Sequence, residues 1–184
     1  MNLVTRLGST LGAAAAALLL CVGTAAGTAA ASGGPAAARV GGSGAGAQPV
    51  PVSTITSLSP EAAGKCLDVY DWGRGPWIQM WQCHGGDNQS WSFEWNGTSG
   101  GWNIRSDASG LCVDGSLGRA EQLIQNPCGD GLGQAWRIDS LPGPSRMENI
   151  AFPGQCADIY NWGRSSVVML WDCGTQPNQY WLFD

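Results

Sequence analysis

The chain has 184 residues, a net charge of −5 and a single lysine, and only 12% of its residues are charged. Proteins that bind nucleic acid carry a basic face, so this composition argues against nucleic acid as a partner. Ten tryptophans and seven cysteines stand beside that low charge. The combination favours an exported domain held by disulfides.

The first segment in chain order is an apolar run at residues 11–22, which follows Arg6. It is too short to cross a bilayer, which takes about 20 apolar residues. Small residues stand two positions apart at Ala26 and again at Ala31, the spacing of a signal-peptidase site. We predict a signal peptide over residues 1–26, cleaved after Ala26 or Ala31, and a secreted, extracellular protein without a membrane span. A flexible alanine-rich tail is the alternative.

The next segment, residues 27–51, consists mostly of alanine, glycine, serine and proline. Such a stretch cannot bury enough apolar surface to fold, so we expect a flexible linker. Residues 52–184 remain, and about 130 residues are the size of one domain.

The domain contains a repeat. Gln89, Gln134 and Gln179 each begin a Gln-x-Trp phrase, and they are 45 residues apart. A fixed period of this length indicates a repeated structural unit. The first copy, "GKCLDVYDWGRGPWIQMWQCHGGDNQSWSF", aligns without a gap to the third, "GQCADIYNWGRSSVVMLWDCGTQPNQYWLF", and the middle copy has drifted. We place the repeats at about 52–97, 98–141 and 142–184.

The cysteines other than Cys21 number six, and each repeat holds two of them. An even number in an exported chain favours disulfides, and the repeat favours pairing within each copy. A bridge that closes a loop of about 17 residues stabilises the fold by about 3 kcal/mol in the chain-entropy model. The predicted bridges are Cys66–Cys83, Cys112–Cys128 and Cys156–Cys173. A zinc site is the competing use, but the chain has no Cys-x-x-Cys and one histidine.

Each copy consists of short segments rich in β-branched and aromatic residues, such as "KCLDVY" and "WIQMWQC", with glycine, asparagine and aspartate between them. After residue 52 no apolar pattern keeps a helical period over about ten residues. Roughly four strands per copy make about a dozen in all. We therefore predict an all-β, antiparallel barrel with pseudo-threefold symmetry, whose closure hides the sheet edges.

Each repeat combines Cys-x-Asp, a second cysteine and Gln-x-Trp at matching positions. This pattern resembles the ricin-B-type β-trefoil lectin family, which also occurs as a carbohydrate-binding module attached to bacterial xylanases. The resemblance covers nearly all of residues 52–184. It implies a monomeric β-trefoil that binds galactose- or xylose-type glycans, including plant or microbial polysaccharides, through one shallow pocket per repeat.

The pocket of that family combines a carboxylate, an aromatic platform and amide groups. An ionised carboxylate accepts hydrogen bonds from neighbouring hydroxyls, and an aromatic ring packs on the C–H face of a pyranose. In the first repeat the resemblance implies that Asp68 is the acceptor and Trp81 the platform. The remaining contacts implied there are Gln79, His84 and Asn88, with Gln89 supporting them from behind.

The other two repeats match this pocket less well. The residues implied for the third repeat are Asp158, Trp171, Asn178 and Gln179. Met169 and Gly174 replace the first glutamine and the histidine, so we expect weaker binding there. In the second repeat Asn126 and Gly133 replace the platform and the asparagine, so we expect an inactive pocket in which Asp114 only forms a turn.

The sequence favours a binding protein over an enzyme. Glycoside hydrolysis needs two carboxyl groups flanking the scissile bond, and no such pair recurs in the repeats. No set of metal ligands stands out, and we expect no cofactor. The alternative is a non-sugar binding protein on the same scaffold, such as a trefoil protease inhibitor. The repeated loops at Trp72 and Trp162 lie beside the predicted pockets and could extend the sugar contacts or cover the barrel.

Overall fold

The computed structural model of this protein describes residues 50–52 and 54–184. The predicted signal peptide, residues 1–26, lies outside the described residues, as do Cys21 and the predicted linker up to residue 49. Within the described range no helix has the length and apolar character needed to cross a membrane.

The described chain folds into fourteen short β-strands and four single turns of 3-10 helix. The strands are β1 Val50–Val52, β2 Ile55–Ser57, β3 Lys65–Val69, β4 Ile78–Gln82, β5 Trp91–Asn96, β6 Gly101–Ser106, β7 Cys112–Asp114, β8 Ile124–Asn126, β9 Trp136–Arg137, β10 Gly143–Ser145, β11 Glu148–Asn149, β12 Gln155–Ile159, β13 Val168–Asp172 and β14 Trp181–Phe183. The 3-10 turns are Pro60–Ala62, Asp87–Gln89, Leu132–Gln134 and Pro177–Gln179.

Strand β1 begins inside the segment that the composition assigned to the linker. Val50 and Pro51 pair with Phe93 and Ser92 of β5, so the sheet starts two residues before the predicted boundary at residue 52. Proline fits there because β1 is an edge strand, whose outer side needs no hydrogen-bond donor.

The strands form two antiparallel sheets. The larger has nine strands in the order β1-β5-β6-β9-β11-β12-β13, with β7 joined to β6 and β8 joined to β7. The smaller has five strands in the order β10-β14-β2-β3-β4. Strand β14 of the third repeat pairs with β2 of the first repeat, so the last repeat is joined to the first.

Three isolated bridges connect neighbouring repeats at equivalent positions. They join Trp77 to Ile124, Gln122 to Met169, and Gln79 to Val167. Trp77, Gln122 and Val167 are 45 residues apart, and so are their partners Gln79, Ile124 and Met169. The three hairpins therefore surround a pseudo-threefold axis. The predicted all-β architecture, a β-trefoil built from three repeats, is confirmed.

The tryptophans of the three Gln-x-Trp phrases lie in the centre of the core. Trp91, Trp136 and Trp181 are almost completely buried. Each indole Nε1–H donates to a backbone carbonyl of its own repeat, at 3.1 to 3.2 Å, and the acceptors are the oxygens of Leu67, Val113 and Ala157. Each acceptor directly precedes the aspartate of its repeat, so the core fixes the strand that carries the carboxylate.

The six cysteines of the described chain form the three within-repeat disulfides, Cys66–Cys83, Cys112–Cys128 and Cys156–Cys173. In the first and third repeats the bridge joins the hairpin that carries the aspartate to the loop after it, near the start of β3 or β12. The disulfides therefore close the base of the hairpins on which the candidate sites are built.

Candidate functional site

The β3–β4 hairpin presents a carboxylate, an amide and an aromatic ring on one face. Asp68 pairs in register with Gln79, and Cys66 pairs with Trp81. Leu67 and Met80 are buried in the core, and side chains alternate along a strand, so Asp68, Gln79 and Trp81 lie on the opposite face.

The Asp68 carboxylate is buried under the 3-10 turn Asp87–Gln89, and amide groups hold it in place. Its Oδ2 accepts hydrogen bonds from Asn88 Nδ2 at 2.8 Å and Gln89 Nε2 at 2.9 Å. Its Oδ1 accepts one from Gln79 Nε2 at 3.1 Å. A carboxylate offers about four acceptor positions, so one position on Oδ1 remains for a ligand.

A cavity of about 290 Å³ opens above this carboxylate. Its lining residues are Asp68, Tyr70, Asp71, Trp72, Gln79, Trp81, His84 and Asn88. His84 Nε2 lies 3.6 Å from Asp68 Oδ2, and the imidazole packs on the Trp72 ring with centroids 5.0 Å apart. The Trp81 side chain is 54% exposed, so its ring is available to a ligand at the rim.

The third repeat forms the same arrangement on the β12–β13 hairpin, with one difference at the carboxylate. Asp158 Oδ2 accepts hydrogen bonds from Asn178 Nδ2 at 3.0 Å and Gln179 Nε2 at 2.7 Å. Met169 pairs with Asp158 in register, where the first repeat has a glutamine. Asp158 Oδ1 accepts no hydrogen bond from any of the described residues, so two acceptor positions are open.

The cavity above Asp158 is larger, at about 430 Å³. Its lining residues are Asp158, Tyr160, Asn161, Trp162, Met169, Trp171, Asp172, Gly174, Gln176, Asn178 and Gln179. The Trp171 side chain is 39% exposed. The third repeat therefore offers an open carboxylate oxygen beside an accessible ring.

In the second repeat, neighbouring groups of the same repeat occupy three acceptor positions of the carboxylate of Asp114. Asp114 Oδ1 accepts a hydrogen bond from Ser116 N at 2.6 Å, and Oδ2 accepts bonds from Asn126 Nδ2 at 2.9 Å and Gln134 Nε2 at 3.1 Å. Ser116 also fills the space where an asparagine would stand, because a Cβ at Gly133 would lie 2.8 Å from Ser116 Cβ. This arrangement is the Asx-type turn expected from the sequence.

The pKa values of Asp114 and Asp158 are shifted in opposite directions. Burial raises the pKa of Asp158, and the hydrogen bonds from Gln179 and Asn178 do not outweigh it. Burial also acts to raise the pKa of Asp114, but its hydrogen bonds from Asn126, Ser116 and Gln134 lower that pKa below the usual value. The count of donors to each carboxylate explains the difference.

The glutamine of each Gln-x-Trp phrase connects the carboxylate to the disulfide loop. Gln89 Nε2 donates to Asp68 and to the carbonyl of Gln82, and its Oε1 accepts from the backbone N–H of His84. Gln134 and Gln179 make the equivalent three contacts. These glutamines fix the aspartates, and both amide N–H groups of each glutamine are used within the protein.

A left-handed turn carries a second tryptophan to the rim of each cavity. Asp71, Trp72 and Gly73 have φ of 54°, 55° and 91°, and Asn161, Trp162 and Gly163 have 55°, 59° and 88°. The left-handed region costs a tryptophan about 1 to 2 kcal/mol. Trp72 and Trp162 are 69% and 62% exposed. Such strain in an exposed aromatic residue points to a function at that position.

The structure thus brings the proposed residues into two separate groups. The residues lining the first cavity are Asp68, Gln79, Trp81, His84 and Asn88, and Gln89 supports the Asp68 carboxylate without lining the cavity. The residues lining the second are Asp158, Trp171, Asn178 and Gln179. Sequence reasoning left the role of Trp72 and Trp162 open between sugar contact and cover of the barrel, and it did not name Tyr70 and Tyr160, which also line the cavities. Their signal was present in the aligned phrases "VYDWGR" and "IYNWGR". In the described chain no three His, Cys, Asp or Glu side chains are grouped as metal ligands.

Comparison with solved structures identifies the same fold at low sequence identity. The ricin B-like lectin of Macrolepiota procera, solved with lactose, superposes with a TM-score of 0.58 at 22% identity, over 73% of this chain and 96% of that one. An exo-β-1,3-galactanase from Clostridium thermocellum superposes with a TM-score of 0.59 at 24% identity, over 71% of this chain and 30% of that one.

Comparison of sequences adds a relative and a family. Serine protease 1 of Rarobacter faecitabidus is 29% identical over 129 residues, which make up 68% of this chain and 23% of the protease. The chain thus spans less than a quarter of that relative's length. The model of the ricin-type β-trefoil lectin domain-like family matches residues 48–116 and 87–168. These matches cover more than half of the chain, and the protein belongs to the ricin-type β-trefoil lectin domain-like family.

Proposed function

We propose that this protein is a secreted lectin that binds galactose- or xylose-type glycans through the cavities of its first and third repeats. The observation that carries the proposal is the pairing, in both cavities, of a fixed carboxylate with a partly exposed tryptophan. Asp68 stands with Trp81, and Asp158 stands with Trp171.

The chemistry of a sugar suits these two groups. Hydroxyls of a pyranose donate to a carboxylate oxygen, while its apolar C–H face packs on an indole. The carboxylates are already oriented by amides, so a ligand does not have to order them. Asn88 and Asn178 line the cavities and could exchange further hydrogen bonds with hydroxyls.

Two relatives support the sugar class. The M. procera lectin was solved with lactose, and the C. thermocellum enzyme is a galactanase. Both bear on galactose-containing glycans, and the xylose-type alternative comes from the resemblance to xylanase-attached modules. Two shallow pockets on one monomer would also strengthen binding to a polysaccharide, because the second contact becomes intramolecular.

Binding without cleavage is part of the proposal. Hydrolysis needs a second carboxyl group that can act as acid or nucleophile. The second carboxylate lining the third-repeat cavity, Asp172, is held in a two-point ion pair by Arg119, with both N–O distances 2.9 Å. Any catalytic activity of a longer protein would then belong to another domain.

Export is the remaining element of the proposal. We propose a signal peptide at residues 1–26, a linker from residue 27 to the first strand at Val50, and a lectin domain from Val50 to Asp184 in three repeats of about 45 residues. Three disulfides support an oxidising, extracellular location, since such bonds are rare in reducing compartments. Mass spectrometry of the exported protein would give its N-terminus, and a start outside residues 27 to 32 would contradict the predicted cleavage.

A glycan array that includes xylan tests the binding proposal. The folded chain is compared with the Asp68→Ala/Asp158→Ala double variant. Both substitutions should be tolerated by the fold, because the amides that lose the carboxylate keep a backbone acceptor. Asn88 keeps the carbonyl of Val69, and Asn178 keeps that of Ile159.

We expect galactoside or xylan binding that disappears in the double variant. Asp139→Ala is the matched control, because Asp139 is an exposed aspartate outside both cavities. No binding by the folded wild type would refute the sugar proposal. A screen for protease inhibition would then test the alternative on the same scaffold.

A further inference from the structure

The loop of the second repeat that corresponds to the Trp-Gly-Arg phrases takes a different course. In the first and third repeats the loop closes on itself, and Gly75 N and Ser165 N donate to the carbonyls of Tyr70 and Tyr160. In the second repeat the equivalent N–H, that of Ala120, donates to Leu170 of the third repeat at 2.8 Å. The second-repeat loop is therefore attached to β13.

This attachment places Arg119 over the platform of the third repeat. Its guanidinium carbon lies 4.0 Å from the centroid of the Trp171 ring. Its Nε and Nη2 donate to the two carboxylate oxygens of Asp172, each at 2.9 Å. A planar guanidinium suits both contacts at once, since it stacks on an aromatic face and binds a carboxylate at two points.

The same contact is missing from the first repeat for a visible reason. Gln82 stands where the third repeat has Asp172, so the anchor for a guanidinium is absent. Arg164, the counterpart of Arg119, forms an ion pair with Glu61 at 3.5 Å instead. A guanidinium therefore covers one face of Trp171 but not of Trp81, and Trp81 is the more exposed of the two rings.

We infer that Arg119 of the second repeat is a positioning residue for the third-repeat site. It holds one face of Trp171 and fixes the ring against the cavity that contains Asp158. The second repeat uses its own groups to occupy the Asp114 carboxylate and contributes a supporting side chain to the third-repeat site. This inference rests on the proposed function, and its test includes a measurement that needs no ligand.

The ligand-free test is hydroxyl-radical footprinting of the full chain, read by mass spectrometry at Trp171 and Trp81. We expect Arg119→Gln to increase labelling of Trp171 by about twofold or more, because one face of the ring loses its cover. Trp81 should label as in the wild type. Unchanged labelling of Trp171 would overturn the inference, whether or not the protein binds a sugar.

The binding test uses two single-site backgrounds, with lactose and xylotriose as probes in calorimetry. In the Asp68→Ala background, only the third-repeat site is expected to bind. There Arg119→Gln should weaken sugar binding about fivefold, the equivalent of about 1 kcal/mol. In the Asp158→Ala background, only the first-repeat site is expected to bind, and Arg119→Gln should leave its affinity unchanged. A general loss of stability would weaken both sites alike.

Arg137→Gln is the matched control. Arg137 forms an exposed ion pair with Glu148 at 2.8 Å, at a distance from both cavities. Neither site should respond to its loss. Increased Trp171 labelling without weaker third-site binding would refute a positioning role, and failure of both parent backgrounds to bind would refute the proposed function while the footprinting result stands.

Discussion

Gln79 donates a hydrogen bond of 3.1 Å to Oδ1 of Asp68. Its counterpart in the third repeat is Met169, which leaves the equivalent oxygen of Asp158 open. The residue that makes the first pocket look complete in the sequence thus occupies an acceptor position that a sugar could use. The two pockets therefore differ in how many hydrogen bonds from sugar hydroxyls their carboxylate can accept.

Met169→Gln should weaken the third site. The new amide is expected to donate to Asp158 Oδ1 and occupy one of its two open positions, at a loss of about 1 kcal/mol or about fivefold in affinity. Calorimetry with lactose in the Asp68→Ala background measures this change. Met169→Leu is the control that alters the side chain without adding a donor, and tighter binding by Met169→Gln would contradict the argument.

The third site should lose affinity on acidification earlier than an ordinary aspartate would. Burial raises the pKa of Asp158 above the usual 3.8. A protonated carboxyl accepts fewer hydrogen bonds from hydroxyls, so binding weakens as the pH falls through that raised value. Lactose affinity of the Asp68→Ala variant from about pH 7 to about pH 3 tests this, with circular dichroism to establish that the fold persists.

The same shift has a consequence for stability. A folded-state pKa above the unfolded one means that the ionised carboxylate destabilises the fold, and the free energy of unfolding falls as pH rises between those two values. Asp158→Asn should therefore leave the free energy of unfolding at neutral pH unchanged or raise it, while it weakens sugar binding. Denaturant unfolding measures it, and a clear loss of stability would count against the argument.

Asp114→Asn should do the reverse. The pKa of Asp114 is lowered, so its ionised form stabilises the fold above the unfolded pKa, and this contribution is lost as pH falls through the folded value. An asparagine would turn an amide towards the N–H of Ser116 or the amides of Asn126 and Gln134. We expect a loss of about 1 to 3 kcal/mol at neutral pH, a smaller loss once the pH falls below the lowered pKa of Asp114, and unchanged glycan binding.

The exposed tryptophans of the left-handed turns should contribute to oligosaccharide binding. Trp72→Ala and Trp162→Ala remove rings that line the cavities, so affinity for xylotriose should fall about three- to tenfold while stability stays nearly unchanged, because alanine adopts the left-handed turn at a similar cost. Trp95→Ala is the control, because Trp95 is similarly exposed but lies outside both cavities. Equal loss in all three variants would indicate that the rings are not site-specific.

The repeat carried most of the information about the fold. The period of 45 residues predicted an all-β barrel with pseudo-threefold symmetry, and the resemblance carried by the Gln-x-Trp phrases implied a β-trefoil, in whose core Trp91, Trp136 and Trp181 are buried. The predicted domain begins at residue 52, two residues after the start of β1 at Val50. Composition is averaged over a whole segment, so it does not show that the last residues of a glycine- and proline-rich stretch form a strand. The last two residues of that segment, Val50 and Pro51, pair with β5.

The candidate sites were predictable in part. The aspartates and platform tryptophans lie where the repeat implies, and their role in binding stays a prediction. The sequence alignment suggested a weaker third site, since it counts matching residues and cannot show that Gln79 occupies an oxygen of Asp68. Nor could it give the position of Arg119, because the contact with Trp171 joins two repeats and depends on the course of one loop.

The bond from each core indole to the carbonyl before the aspartate has a consequence for how this chain can change. That bond fixes the backbone of the strand, whatever side chains stand at the rim. The second repeat has different residues around its aspartate and still forms its third of the barrel. We therefore expect substitutions at the rim of one repeat to change that repeat's binding with little effect on the folding of the domain.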